Sequence, residues 1–556
     1  MFYRNIIQQL EQWRLKSNRK PLIIRGARQV GKTTAVHEFA KQFSQYIYVN
    51  LEQQKYKHIF ENYTDIHKIA EQLFFVNDQE LRLKHDTLLF IDEIQEVPTA
   101  INFLRYFKEE IPELPVIAAG SMLETLLGKN IVFPVGRVEY FQLRPVSFEE
   151  FLGAIGETRA LAELRHVPLN YFAHSKLLEL FHTYALIGGM PEIVEEYAKH
   201  RDITSLKPIY NSLINSYLED AEKYAKNATQ LQLIRFTIKQ VILHAGKRIT
   251  FQGFGNSNYK SKEIGEVLRT LEKTHLLHLI YPTTGYSLPL IEDFKKAPRL
   301  QFLDSGLVNF QAGIQKEIIG TDDLNKVYQG TLIEHLVGQE LLANQNLPLD
   351  KLHYWVREKN SSQAELDYVL QFHNKVVPIE VKSGAAGKIK SLQQYINQAP
   401  IDYGIRFYAG ELQINTLKTN EGKTFHLLNL PYFLASQTEK YIEWFVDNRP
   451  KSTSHFIVNE PTIAYEKPTN KNVEIKKLNE INDKHQRILK LILGSPKKGK
   501  EIIEEHLGLT YQSRNKKLLI KPLLDLELIE WTIPENPKSK QQAYRITQKG
   551  KDAIKN

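Results

Sequence analysis

The chain has 556 residues, too many for one hydrophobic core, and its 42% hydrophobic and 25% charged residues are the balance of a folded multidomain protein, not a disordered one. It contains no cysteine, which excludes disulfides, thiol nucleophiles and cysteine-ligated zinc, and leaves oxygen and imidazole as ligands for any metal. The net charge is +9, and residues 476–556 hold 18 Lys and Arg against 10 Asp and Glu, so the positive excess is concentrated at the C-terminal end, where DNA or RNA is the partner it favours and a solvated basic surface is the plainer alternative.

No apolar stretch has the length to span a bilayer, and Met1 to Ile6 leads into a polar amphipathic segment, so no membrane partner and a cytoplasmic location are expected. Ile6 to Leu15 reads as a short amphipathic helix. Pro21 to Arg25 reads as a buried strand, and a helix is predicted from Lys32 to Phe43. Tyr46 to Leu51, Thr87 to Ile91 and Pro115 to Ala119 are further apolar runs between helical patterns, as in a parallel sheet with helices on both faces.

Residues 1–151 are thus predicted to form a P-loop α/β domain. Residues 152–230 turn helical, with Leu177 to Tyr184 and Pro208 to Tyr224 clearest, and read as a lid. Residues 231–300 end in the apolar run His275 to Tyr281 and suggest a small winged-helix-like region. Residues 301–447 mix a helix at Leu332 to Ala343 with strands at Leu352 to Val356, Ala364 to Leu370 and Val376 to Lys382, followed by a helix at Lys388 to Ile396. Three prolines amid Ser, Thr, Asn and Lys mark residues 448–479 as a linker. Residues 480–556 read as three helices and a hairpin, the order of a winged helix-turn-helix, with Arg514, Asn515, Lys516 and Lys517 on the third helix and Lys538 and Lys540 in the wing.

Gly26-Ala27-Arg28-Gln29-Val30-Gly31-Lys32-Thr33 has the full Walker A spacing, with a strand before it and a helix opening at its end. Backbone N–H groups of such a loop close around phosphates, Lys32 reaches the β- and γ-phosphates, and the hydroxyl of Thr33, beside Thr34, ligates Mg²⁺. Sixty residues after Lys32, an apolar strand ends in Asp92-Glu93. Asp92 is expected to hold Mg²⁺ and Glu93 to polarise the attacking water, so the cofactors are ATP and Mg²⁺. Ser121, at the tip of the following strand, is a candidate sensor of the γ-phosphate.

With Gly136-Arg137, Leu143-Arg144-Pro145-Val146-Ser147-Phe148-Glu149-Glu150-Phe151, Tyr184-x-x-x-Gly188-Gly189-Met190-Pro191, Phe302 to Leu307 and Gly330 to Glu334, the chain resembles the prokaryotic AAA-type ATPases that carry a C-terminal domain of unknown function. The resemblance spans roughly residues 1–405. It implies that Arg137 meets the terminal phosphate, either in its own chain or from a neighbouring subunit of a homo-oligomer.

Alternation along Val377 to Ser383 puts Glu380 and Lys382 on one face of a strand, with Asp367 on the neighbouring strand and Glu334 on the preceding helix. This set resembles the PD-(D/E)xK core of restriction endonucleases and junction resolvases, which implies a restriction-endonuclease-like α/β domain, a second Mg²⁺ on the carboxylates and a water-orienting Lys382. The usual Gln-x-x-x-Tyr is missing; the sequence has only Gln393-Gln394-Tyr395. A salt-bridged hairpin is the alternative. Three readings follow: an ATPase whose nucleotide state controls a nucleic-acid-directed C-terminal half, an ATP-dependent binding module without turnover, and an ATP-gated metal-dependent nuclease.

Overall fold

The computed structural model describes residues 2–120, 136–313, 330–343, 351–357, 364–384, 387–449, 483–507, 519–533 and 543–555. Two compact units divide it, residues 1–460 and 461–556. Among the described residues, no helix is long and apolar enough to cross a membrane.

The first unit opens with the helix Ile6–Arg14 and a parallel sheet of five strands: β1 (Leu22–Arg25), β2 (Gln45–Asn50), β3 (Thr87–Asp92), β4 (Val116–Ala119) and β5 (Glu139–Gln142), in the order β2-β3-β4-β1-β5. Alternate residues feed two separate cores. Ile23, Ile47, Val49, Leu89 and Ile91 pack against the helices Gln54–Asn62, Ile66–Val76 and Pro98–Glu110. Leu22, Ile24, Leu88, Phe90 and Ile117 pack against Ile6–Arg14 and Lys32–Ala40. Burial on both faces is why these strands read as continuous apolar runs. The edge strand β5, Glu-Tyr-Phe-Gln, is half-buried and gave no such run. Because β1 lies between β4 and β5, the chain reverses its direction of winding at the carboxyl end of β1, where open α/β sheets bind ligands.

One continuous core then runs from Val146 to Phe445. It takes in the helices Phe148–Ala154, His174–Ile187, Pro191–His200, Lys207–Tyr224, Ala228–Leu243 and Ser261–Lys273. The last of these leads into β6 (Leu277–Ile280), which pairs antiparallel with β8 (Arg299–Phe302). Between them, the short β7 (Pro282–Thr283) joins the edge of a mixed seven-stranded sheet with β9 (His353–Val356), β10 (Glu365–Phe372), β11 (Lys375–Val381), β12 (Tyr403–Tyr408), β13 (Gln413–Lys418) and β14 (Thr424–Pro431), in the order β13-β14-β12-β11-β10-β9-β7. The helix Lys390–Gln398 packs against β10, β11 and β12, the helix Gly330–Ala343 against β8 and β11.

The glycine motif of the lid is explained by a buried junction. Asp304 caps the helix Ser305–Gln311 through Leu307 N at 3.1 Å and accepts from Gly189 N at 2.6 Å. A Cβ on Gly188 would stand 2.3 Å from Asp304 Oδ1, so a side chain there has no room. Tyr184 OH donates to Glu340 Oε1 at 2.6 Å with Val146 O 2.8 Å away as the alternative acceptor, and Phe148 N donates to both oxygens of Glu340 at 3.2 and 3.1 Å. The lid is thereby bonded to the helix that carries Glu334.

In the second unit the helix Asp483–Ile492, a π-helical turn at Glu501–His506 and the helix Lys521–Asp525 precede β15 (Ile529–Trp531) and β16 (Tyr544–Ile546), which pair antiparallel. Ile488, Leu489, Ile502, Ile503, Ile520 and Leu523 form its core. The helix Gln548–Lys555 packs on Asp483–Ile492 and β16 and was not expected from its polar sequence. Most of the linker, Arg514 to Lys517, Lys538 and Lys540 lie outside the described residues.

Candidate functional site: the nucleotide loop and a second acidic cluster

Gly26 takes φ +149°, and a Cβ there would lie 2.2 Å from Leu143 O, so only glycine lets the loop turn against the strand-end segment behind it. Gly31, with φ +90°, caps the helix Lys32–Ala40, whose N-terminus faces the loop. Lys32 is buried, and its Nζ donates to Gly26 O at 3.0 Å and Ala27 O at 2.8 Å. Burial pulls its ammonium down to about 8, with Glu93 and Asp92 opposing the shift. Thr33 Oγ1 donates to Asp92 Oδ2 at 2.7 Å, and Tyr48 OH donates to the same oxygen at 3.3 Å. Burial raises the Asp92 carboxyl, and the Thr33 hydrogen bond works against that.

Glu93 sits one residue past the strand in a left-handed conformation, φ +51°, and accepts from Gln95 Nε2 at 2.5 Å. Lys32, Thr33, Thr34, Arg28, Gln29 and Glu93 line a cavity of about 480 Å³. The cavity, the helix terminus and the Thr33–Asp92 pair fit a nucleotide triphosphate with one hard cation on oxygen ligands. Mg²⁺ held by Thr33 and Asp92 would neutralise charge on the transferring phosphoryl group.

Three supports of the loop carry no local sequence signal. Arg4 Nη1 donates to Val30 O at 3.0 Å, its Nη2 to Arg144 O at 2.7 Å and its Nε to Glu150 Oε1 at 3.0 Å. Asp220, buried on the helix Lys207–Tyr224, accepts from Arg28, which also holds its guanidinium above the usual range. Tyr217 OH donates to Arg28 O at 3.2 Å. Partners 26 to 192 positions apart can be found only in the folded chain.

Arg137 lies elsewhere. It precedes β5, whose Glu139 is in register with Leu22 at the start of β1, whereas the loop follows the end of β1. At about 3.3 Å per residue the two are on the order of 20 Å apart, at opposite ends of two neighbouring strands. Arg137 Nε instead donates to Glu109 Oε1 at 2.8 Å and is exposed. In this structure it does not stand beside the loop of its own chain. Ser121 lies outside the described residues.

The second cluster also differs from expectation. Lys382 Nζ donates to Glu380 Oε1 at 2.5 Å, as residues on one strand face should. A one-residue bulge between Leu366 and Val369, against Trp355 and His353 of β9, accompanies Asp367, whose Oδ2 accepts from Val381 N at 2.7 Å. The sequence reading missed Arg299. From β8 its guanidinium reaches Glu365 Oε1 at 2.5 Å, Glu334 Oε2 at 3.4 Å and Asp367 Oδ1 at 3.6 Å.

Burial raises the carboxyls of Glu334, Glu380 and Asp367, the first to about 8 and the second to about 7, with Arg299 and Lys382 opposing. Burial alone would lower the Arg299 guanidinium; the surrounding carboxylates outweigh it and raise it. Among the described residues no group of three or more His, Asp or Glu side chains is arranged to hold a metal ion. Glu334, Asp367, Glu380 and Lys382, expected as a metal set, are brought together, with the Arg299 guanidinium bridging Glu334, Glu365 and Asp367.

Residues 18–152 match the family model of an AAA domain. Residues 178–318 and 329–433 match two domains of unknown function, DUF8612 and DUF4143, and residues 483–547 match the C-terminal domain of Fic-like proteins, filamentation induced by cAMP. None of these descriptions names a nuclease or a winged helix. No curated protein matches the chain. Among solved structures, the Walker-type ATPase PABY2304 of Pyrococcus abyssi is 15% identical, over 56% of this chain and 96% of its own, with a TM-score of 0.37. DnaA from Aquifex aeolicus bound to AMPPCP is 13% identical over 48% and 86%, TM-score 0.24, and Orc1 of Aeropyrum pernix in complex with DNA is 12% identical over 56% and 93%, TM-score 0.21. Likeness this loose does not extend the assignment beyond the domain match. That match and the loop geometry make residues 18–152 an AAA-type ATPase domain, and ATP hydrolysis is its activity.

Proposed function

We propose that the chain is an ATP-driven switch whose nucleotide state controls a C-terminal half directed to DNA or RNA. In the hydrolytic step Lys32 holds the β- and γ-phosphates, Thr33 and Asp92 hold Mg²⁺, and Glu93 polarises the water. Arg137 is supplied by a neighbouring copy, since its own loop is at the other end of the neighbouring strand, and the protein therefore works as a homo-oligomer. An arginine delivered this way stabilises charge that develops only as the phosphoryl group transfers.

The observation that supports a nucleic-acid target is the concentration of positive charge in residues 476–556, 18 basic against 10 acidic side chains. Charge so placed releases counterions from a phosphate backbone. The helices followed by the β15–β16 hairpin are the element order of a winged helix. The test compares the full chain with one ending at residue 475, measuring affinity for duplex DNA and single-stranded RNA between about 50 and 200 mM salt. Truncation is expected to weaken binding and flatten its salt dependence; an unchanged slope would move the interface elsewhere.

A further inference from the structure

We infer that Arg299 is the resident cation of the acidic cluster in the seven-stranded sheet, filling the place of a divalent ion, so that this region serves without cutting a phosphodiester. The inference concerns the cluster around Arg299 and stands or falls independently of the ATPase mechanism.

The argument rests on which oxygens are committed. Arg299 is 4% exposed and comes from β8, outside the seven-stranded sheet. Its Nη1 donates to the backbone oxygen of Asp367 at 3.2 Å and stands 3.4 Å from Glu334 Oε2; its Nη2 takes Glu365 Oε1 and faces Asp367 Oδ1. The rings of Tyr354 and Tyr368 lie 5.1 and 5.8 Å from the guanidinium carbon, so aromatic faces support the cation as well.

Glu365 Oε2 is taken by Arg248 Nη1 at 3.1 Å, Asp367 Oδ2 by Val381 N, and Glu380 Oε1 by Lys382. Glu380 Oε2 is buried and without a hydrogen-bond partner among the described residues, while Glu334 Oε2 and Asp367 Oδ1 face the guanidinium at 3.4 and 3.6 Å. Mg²⁺, which demands near-octahedral oxygen geometry, could gather these oxygens only by displacing the guanidinium. A divalent ion placed here would also stand against a buried guanidinium that cannot lose its proton. The planar fork of arginine suits several carboxylates at once, which a lysine at 299 would not.

The consequence is a joint. Arg299 ties β8, the partner of β6, to β10 and to the helix Gly330–Ala343, and Gln301 beside it donates to His335 O on that helix at 3.0 Å. Opposite charges are held across three elements in a buried setting, where removing one partner leaves the other uncompensated.

The test is thermal unfolding of the full chain in metal-free buffer and with millimolar Mn²⁺, for the wild type, Asp367→Asn and Glu380→Gln, with plasmid and single-stranded RNA cleavage measured in parallel. A metal site awaiting its ion holds repelling carboxylates, so Asp367→Asn would raise Tm in the metal-free state. The joint makes the opposite prediction: Asp367→Asn lowers Tm by several degrees or fails to fold, because the guanidinium loses a charged partner. Mn²⁺ is expected to shift the wild type and Glu380→Gln by the same amount, any shift arising at other sites, and neither substrate is cut with Mn²⁺ or Mg²⁺. A rise in Tm with Asp367→Asn, a saturable Mn²⁺ stabilisation lost in Glu380→Gln, or cleavage abolished by either variant would overturn the inference.

Discussion

Replacing Glu340 by Gln should remove a pH dependence from the stability of the lid junction. Glu340 is fully buried and accepts from Tyr184 OH and Phe148 N, yet burial still raises its carboxyl to about 7. In the unfolded chain it titrates at its ordinary 4.5. Below that pH both states hold the proton. Between about 4.5 and about 7 only the folded chain holds it, so stability falls as pH rises; above about 7 the loss is complete. At about 1.4 kcal/mol per pH unit this amounts to roughly 3 kcal/mol. Gln binds no proton and keeps an acceptor oxygen for Tyr184. The stability advantage of wild type over Glu340→Gln should therefore shrink by roughly 3 kcal/mol between about pH 4.5 and pH 8. Urea unfolding followed by circular dichroism across that range measures it. A difference that stays constant with pH would refute the reasoning, and one that grows would reverse its sign.

Gly26→Ala should abolish ATP binding without unfolding the chain, because its Cβ would stand 2.2 Å from Leu143 O and push the loop off its path; fluorescent-nucleotide titration checks this, and tight binding would contradict it. Asp220→Ala should raise KM for ATP more than it lowers kcat, since Asp220 braces Arg28 of the loop and touches no reacting atom. Arg137→Ala should lose about 10³-fold in turnover while still binding ATP. Mixing it with Lys32→Ala should restore activity if the arginine comes from a neighbouring copy; absence of rescue at any ratio would count against that arrangement.

The nucleotide loop was legible because its chemistry is local: eight consecutive residues, a strand before them and a helix after. Asp92 and Glu93 were legible for the same reason, as the polar end of an apolar strand. Arg4, Asp220 and Tyr217 were not, because each reaches the loop from a distant element. In the second cluster the hairpin and the shared face of Glu380 and Lys382 followed from alternation along a strand. The meaning of the carboxylates did not, since the cation that occupies them comes from β8, 68 positions before Asp367. Strand β5 was missed because an edge strand with two polar residues in four carries no apolar run.

The central claim is that the chain turns ATP over through Glu93, and the most direct measurement is phosphate release by wild type, Glu93→Gln and Lys32→Ala, with ATP affinity measured on the same preparations. Glu93→Gln should bind ATP as the wild type does and lose at least about 10²-fold in turnover, because the carboxylate acts on the water and not on the ground-state phosphates. Lys32→Ala should lose binding itself. Hydrolysis by Glu93→Gln at the wild-type rate would contradict the account.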